Sequence, residues 1–201
     1  MNYDMLKFAI IILCVLIAAT NKDYAVSKKD SILLTAGLLA TLVADFFLVI
    51  LYVYPAGVLF FCAVQILYVA RFGGKRALML TPLVVVLPIV FFTISRDLLI
   101  AVALGYAQLF ILSYTCMIRA IKRGMYAKPN AILIVLGMTL FVLCDLSVAI
   151  WNLWRMEIIA NESLAILAND AIWLFYAPSQ VCLALSGHKF TKRRLATNGG
   201  N

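Results

Sequence analysis

Charged residues are what this sequence has least of. Of its 201 residues, 13% are Asp, Glu, Lys or Arg, one is histidine, and 65% are hydrophobic. A soluble domain is about a quarter charged and about 45–50% apolar. The shortage therefore excludes soluble enzymes, disordered tails and secreted disulfide scaffolds. The apolar runs also lack the polar–apolar alternation of a membrane barrel. No Cys-x-x-Cys is present: Cys14, Cys62, Cys116, Cys144 and Cys182 each fall inside an apolar run and read as small buried hydrophobes, so no metal or other cofactor is expected. Helices satisfy their own backbone in lipid, and the expected fold is an all-α polytopic transmembrane bundle.

Seven spans are predicted, over 5–20, 31–52, 55–70, 77–94, 98–118, 129–151 and 163–187, most near the ~20 residues that cross a hydrocarbon core. The first and third are the shortest, and the first needs Lys7 to snorkel. Fourteen of the 17 Lys and Arg residues fall in alternate connections and the tail, while Lys7, Arg96 and Arg155 fall on the opposite side. By the positive-inside rule the N-terminus is expected outside and the C-terminus in the cytoplasm. Residues 1–187 then form one transmembrane domain and 188–201 a basic cytoplasmic tail, in a multi-pass protein of a bacterial cytoplasmic membrane. The net charge of +8 reads as topology, so membrane lipids and not nucleic acid are the expected partners. Residues 8–19 have the length of a signal-peptide core, but only one lysine and one aspartate precede them, which disfavours cleavage.

A charge near the centre of a membrane helix costs roughly 2.5–3.5 kcal/mol, so acids inside the spans are the functional candidates. Asp45 lies in the second span, Asp145 in the sixth, and Asp170 beside Asn169 in the seventh. The second and sixth helices run the same way, and each places its aspartate about 10 Å below the outer end at 1.5 Å per residue. Asp170 enters to a similar depth from the other direction. With Tyr106 and Gln108 these carboxyls are expected to form one polar layer in the outer half, lining a cavity open to one leaflet. Asp45 and Asp145 are 100 positions apart, and each precedes a helix with a glutamine, Gln65 and Gln180, a weak echo of a parallel repeat. The structural alternative is a carboxyl that merely joins helices, worth about 0.6 kcal/mol.

The remaining features have plain explanations. Pro82, Pro88 and Pro178 are expected to kink their helices, and Tyr52, Tyr54, Trp151 and Trp154 to form an interfacial aromatic belt. His188 reads as interfacial, and Lys192, Arg193 and Arg194 as a topology signal.

Asp45, the run Gln65-Ile66-Leu67-Tyr68, Asp145, and Tyr176-Ala177-Pro178-Ser179-Gln180 followed by Leu185-Ser186 stand in an order and helix placement that resemble the YhhN family, the membrane lysoplasmalogenases. The resemblance covers roughly residues 31–187. Ala44, Gln65 and Cys144 stand where that family has glycine, histidine and serine, and seven helices are expected here against the family's eight. The resemblance implies hydrolysis of the vinyl ether of a lysophospholipid substrate, a lysoplasmalogen, to a fatty aldehyde and a glycerophospho-alcohol. On this reading Asp45 and Asp145 are the expected catalytic pair, with Gln65, Tyr68, Tyr106, Asp170, Tyr176 and Gln180 as candidates around the substrate or behind the acids. The chemistry suits two carboxyls: one protonates the β carbon, the other stabilises the resulting cation or activates water, as in glycosidases.

Two other readings compete. A proton-coupled carrier also needs aspartates in a midplane cavity, and a non-catalytic lipid-binding relative fits a chain with Gln65 in place of histidine. Rhodopsin chemistry is excluded, because no lysine lies between Ser163 and Gly187 to form a Schiff base.

Overall fold

The computed structural model of the protein describes residues 3–21 and 24–190. Its helices follow the apolar runs: α1 (Tyr3–Thr20), α2 (Lys28–Asp45, continued by a π-helical turn Phe46–Ile50), α3 (Tyr54–Leu78), α4 (Thr81–Val84), α5 (Val86–Ser95), α6 (Leu98–Lys122), α7 (Lys128–Arg155) and α8 (Glu162–Leu185). With α4 and α5 taken as one broken rod, the described residues form the seven helices expected. Four segments are long and apolar enough to cross a membrane by length and composition: Lys28–Ile50, Tyr54–Leu78, Leu98–Lys122 and Lys128–Arg155. The expected tail cations Lys192, Arg193 and Arg194, together with Lys22 and the side chain of Lys7, lie outside the described residues.

Local sequence explains the helix ends. Ser27, Asp97 and Asn161 cap α2, α6 and α8 by accepting from the backbone N–H three residues on, at 3.2, 3.0 and 2.9 Å. Prolines open α3, α4 and α7, where a missing N–H costs nothing. The fourth rod breaks at Val85 because Pro88 cannot donate to the carbonyl of Val84 and its ring crowds that carbonyl.

One expected boundary is corrected. Residues 71–76, read as a connection, are the last turns of α3, interrupted only where Gly74 takes φ 65° and ψ −161°. Lys75 and Arg76 favour this extension because cations stabilise a helix C-terminus.

The α7–α8 hairpin is the tightest pairing; α3 packs on both α2 and α6, α1 lies between α2 and α8, and α6 meets α7 only sparsely. Gly137 permits the hairpin. A Cβ there would stand 2.8 Å from Leu183 Cγ and 3.1 Å from the backbone oxygen of Ser179. Gly137→Val is expected to destabilise the protein by about 1–3 kcal/mol through overpacking, read by unfolding in detergent. On the outside, Leu13, Leu59, Ile111, Ile132 and Leu174 are each more than half exposed. An apolar surface this extensive agrees with the apolar length of the four candidate spans.

The links around residues 51–53, 96–97 and 156–161 form one end of the bundle, here the acid end, to which Asp45 and Asp145 lie nearer. The opposite, basic end is closed by a buried polar cluster. Arg71 grips Asp30 with two bonds, Nε to Oδ1 at 3.0 Å and Nη2 to Oδ2 at 3.2 Å, and donates to Ser186 Oγ at 3.1 Å. The Tyr126 hydroxyl donates to Asp30 at 2.5 Å, and burial pushes that phenol well above its ordinary value, so it remains a donor. Asn130 Nδ2 donates to the carbonyls of Ser186 and His188 at 3.0 and 2.6 Å. Asn21 Nδ2 and the Ala25 N–H both donate to the Gly187 carbonyl, at 2.8 and 3.0 Å. His188, expected at the interface, is exposed with Nδ1 3.0 Å from Asn21.

Candidate active site

Asp45 ends α2 at the point where the backbone widens into the π turn Phe46–Ile50. Such turns re-aim side chains and occur frequently at functional sites. The carboxyl is 5% exposed and accepts a hydrogen bond from the Tyr176 hydroxyl of α8, itself buried. A turn on α2 and a side chain from the far end of the sequence thus define this position.

Asp145 lies within a continuous stretch of α7 and is half-buried. It accepts from the Tyr106 hydroxyl at 2.5 Å, a length typical of a phenol donating to a carboxylate. Behind Tyr106 stands Gln65, whose Nε2 is 3.5 Å from the phenol oxygen. Ser113 Oγ lies 2.6 Å from Gln65 Oε1 and 2.9 Å from the Phe110 carbonyl, and its single hydrogen serves one of the two. With the amide nitrogen toward Tyr106, the tyrosine hydrogen goes to Asp145. Four side chains from α3, α6 and α7 form one chain.

Phe61, Tyr106, Phe110 and Phe141 form an aromatic wall with neighbouring centroids 5.5–6.0 Å apart. That wall holds the Tyr106 ring and gives the Asp145 side an apolar lining.

The other expected residues separate. Tyr68 and Gln180 are fully buried, yet neither bonds to an aspartate. The Tyr68 ring packs against Gly37, and Gln180 Nε2 reaches Ser179 Oγ at 3.3 Å. Asp170 is exposed, which corrects the expected layer of three carboxyls to two. Helix phase is the reason: the buried face of α8 carries Ala165, Ala168, Tyr176, Ser179 and Leu183, and Asp170 stands at no three- or four-residue spacing from that stripe's nearest members. Gln108, also expected in the layer, turns back to the Leu104 carbonyl of its own helix at 3.3 Å. Ser113 is the site residue that sequence reasoning missed; a serine inside an apolar helix carries no signal until its partner is known.

Two concavities lie away from the acids. One of about 500 Å³ is at the acid end around Trp154 and Glu157, and one of about 340 Å³ lies between α1 and α2 at the basic end. Among the described residues no group of three or more His, Cys, Asp or Glu side chains is arranged to hold a metal.

Comparison with known proteins gives one result. The family model described as the YhhN family matches residues 3–187. Neither the curated proteins nor the solved structures provide a match.

Proposed function

This chain belongs to the YhhN family, and from that premise we propose that it is an integral-membrane hydrolase of the vinyl ether bond of lysoplasmalogens. The observation that supports the reading is the pair of carboxyls at Asp45 and Asp145, each held by a buried or half-buried phenol at the same end of an apolar bundle. Two oriented carboxyls meet the demand of the reaction, which needs one proton donated to carbon and one water delivered to the adjacent carbon.

Exposure divides the roles. Asp145 is half-buried while Asp45 is closed at 5% exposure. Asp145 is the more open of the two, so in this mechanism we assign it to water activation and Asp45 to protonation of the β carbon. Proton transfer generates an oxocarbenium-like cation, addition of water gives a hemiacetal, and its collapse releases the fatty aldehyde and the glycerophospho-alcohol. The aromatic wall of Phe61, Phe110 and Phe141 lies on the Asp145 side and steadies the Tyr106 ring. In the membrane the basic end faces the cytoplasm, by the distribution of Lys and Arg.

The test is release of fatty aldehyde from a lysoplasmalogen by purified protein in detergent. Aldehyde formation, absent in an Asp45→Asn/Asp145→Asn double variant, is the expected result. Absence of aldehyde, with or without flux driven by a pH gradient in proteoliposomes, overturns it.

A further inference from the structure

The groove of about 340 Å³ between α1 and α2 lies at the basic end, remote from both acid–phenol pairs. Its α2 wall is a single helical face, because Lys28, Ser31, Ile32, Thr35, Ala36 and Leu39 follow one another at three- and four-residue spacings. From Lys28 to Leu39 that face runs about 16 Å at 1.5 Å per residue. Ala18 and Ala19 form the α1 wall, and Asn21 and Tyr24 stand at the basic end of the groove. Small side chains, Ala18 on one helix and Ser31 and Ala36 on the other, give it depth.

Polarity changes along this track. Lys28, the first residue of α2, is exposed, and among the described residues it has no hydrogen-bonded or ionic partner. No acid stands among the described residues that line the groove. Asp30, two positions on, is turned away and held by Arg71 and Tyr126. The positive dipole end of α2 adds to the charge of Lys28. Ser31 comes next: it is 6% exposed, lines the groove, and its hydroxyl has no hydrogen-bond partner among the described residues. Thr35 differs, since its hydroxyl donates to the Ser31 carbonyl at 3.0 Å. A buried hydroxyl left without a partner costs roughly 1–3 kcal/mol, so Ser31 is a donor in want of an acceptor. Beyond it the track is apolar, and Ile32 and Leu39 are exposed along it.

We propose that this groove seats an anionic glycerophospholipid that is not a substrate, with its phosphate on Lys28, an ester oxygen on Ser31 and one acyl chain along Ile32, Ala36 and Leu39. Charge selects the headgroup. An unneutralised lysine without an acid beside it favours a net negative lipid over a zwitterionic one, and basic pockets between membrane helices on the cytoplasmic side take anionic headgroups in this way. The order of cation, hydroxyl and apolar face along α2 repeats the order of phosphate, ester and chain in such a lipid lying along the membrane normal. Chemistry on the bound lipid is not expected, because Leu39 still stops six residues short of Asp45, about 9 Å along the helix. The role is to hold α1 against α2.

The experiment follows thermal unfolding of the purified full-length protein in detergent, titrated with dioleoyl phosphatidylglycerol, with dioleoyl phosphatidylcholine, or with glycerol 3-phosphate. Phosphatidylglycerol is expected to raise Tm saturably, by about 5–10 °C at a hundredfold excess over half-saturation, while the other two leave it nearly unchanged. Lys28→Ala is expected to raise the half-saturating concentration about tenfold. Lys29→Ala, an exposed cation outside the groove, leaves it within about twofold. Ala36→Leu fills the apolar half without touching the charge, and the same tenfold loss there shows that the chain is seated. Each variant is read against its own Tm without lipid, and if Ala36→Leu does not fold, Ile32→Gln at an exposed position tests the same contact. Equal stabilisation by phosphatidylcholine, or equal losses in Lys28→Ala and Lys29→Ala, overturns the site. Stabilisation by glycerol 3-phosphate alone, or full lipid response with the apolar half filled, reduces it to a phosphate contact and also overturns it. The readout is stability, so the outcome is independent of aldehyde release.

Discussion

Aldehyde release is expected to fall by about 10²–10⁴-fold in Asp145→Asn, and by a similar factor in Asp45→Asn, the range that positioned acid–base groups contribute. Asparagine keeps the size of the side chain and an oxygen that accepts from Tyr106 or Tyr176, so the hydrogen bonds that join α7 to α6 and α2 to α8 survive. What is lost is proton transfer. The loss therefore appears in kcat and kcat/KM together, with unfolding in detergent little changed. The two losses are not additive if the carboxyls act in one mechanism, and the double variant is expected to be scarcely slower than either single one. Tyr106→Phe tests the same chain more gently. It removes the donor to Asp145 and the acceptor for Gln65, and a loss of about tenfold, the equivalent of one hydrogen bond to a charged group, is expected. Turnover unchanged in both aspartate variants would assign the carboxyls to helix association alone.

How much of this was legible in the sequence depends on the range of the interaction concerned. Span number and order were legible because they follow from run length and from the spacing of Lys and Arg, both local properties. The depth of Asp45 and Asp145 was legible too, since rise per residue converts sequence position into height. Which way a side chain faces at that height was not. Asp170 has the expected depth but sits on the exposed side of α8, and only the packing of α8 against α7 and α1 decides that phase. The phenol donors are less legible still. Tyr176 lies 131 residues from Asp45 and Tyr106 lies 39 from Asp145, separations that no spacing rule connects. The apparent repeat hid this difference: Asp45 takes its donor from α8 and sits before a π turn, whereas Asp145 takes its donor from α6 within a regular helix. Arg71 was misread for a different reason. Counting cations by connection needs no acid partner, so an arginine that continues a helix and is buried on Asp30 looks identical to one that stays at the interface.

That ion pair carries the second large effect. Arg71→Met alone, or Asp30→Leu alone, is expected to destabilise the protein by about 3–5 kcal/mol, the cost of stranding one buried charge. The side chains of Arg71 and Asp30 are 0% and 7% exposed, so water cannot compensate for a missing partner. Asp30 also accepts from Tyr126, and Arg71 also donates to Ser186 while lying 5.2 and 5.7 Å from the ring centroids of Phe72 and Tyr126. The cluster thereby ties the start of α2 and the end of α3 to the α6–α7 link and the end of α8. Replacing both charges, Asp30→Leu with Arg71→Met, is expected to recover most of the stability, because an apolar pair of similar volume avoids the desolvation that the ions incur. Unfolding in detergent reads these three values as a double-mutant cycle, and a coupling near zero would show the pair to be energetically idle. Activity of the same double variant separates the functional readings. Asp30 lies fifteen residues from Asp45, about 22 Å along α2. A hydrolase whose chemistry is confined to the acid end keeps its kcat/KM once stability is restored. A carrier that relies on this cluster as its closure at the basic end instead leaks its solute down the gradient.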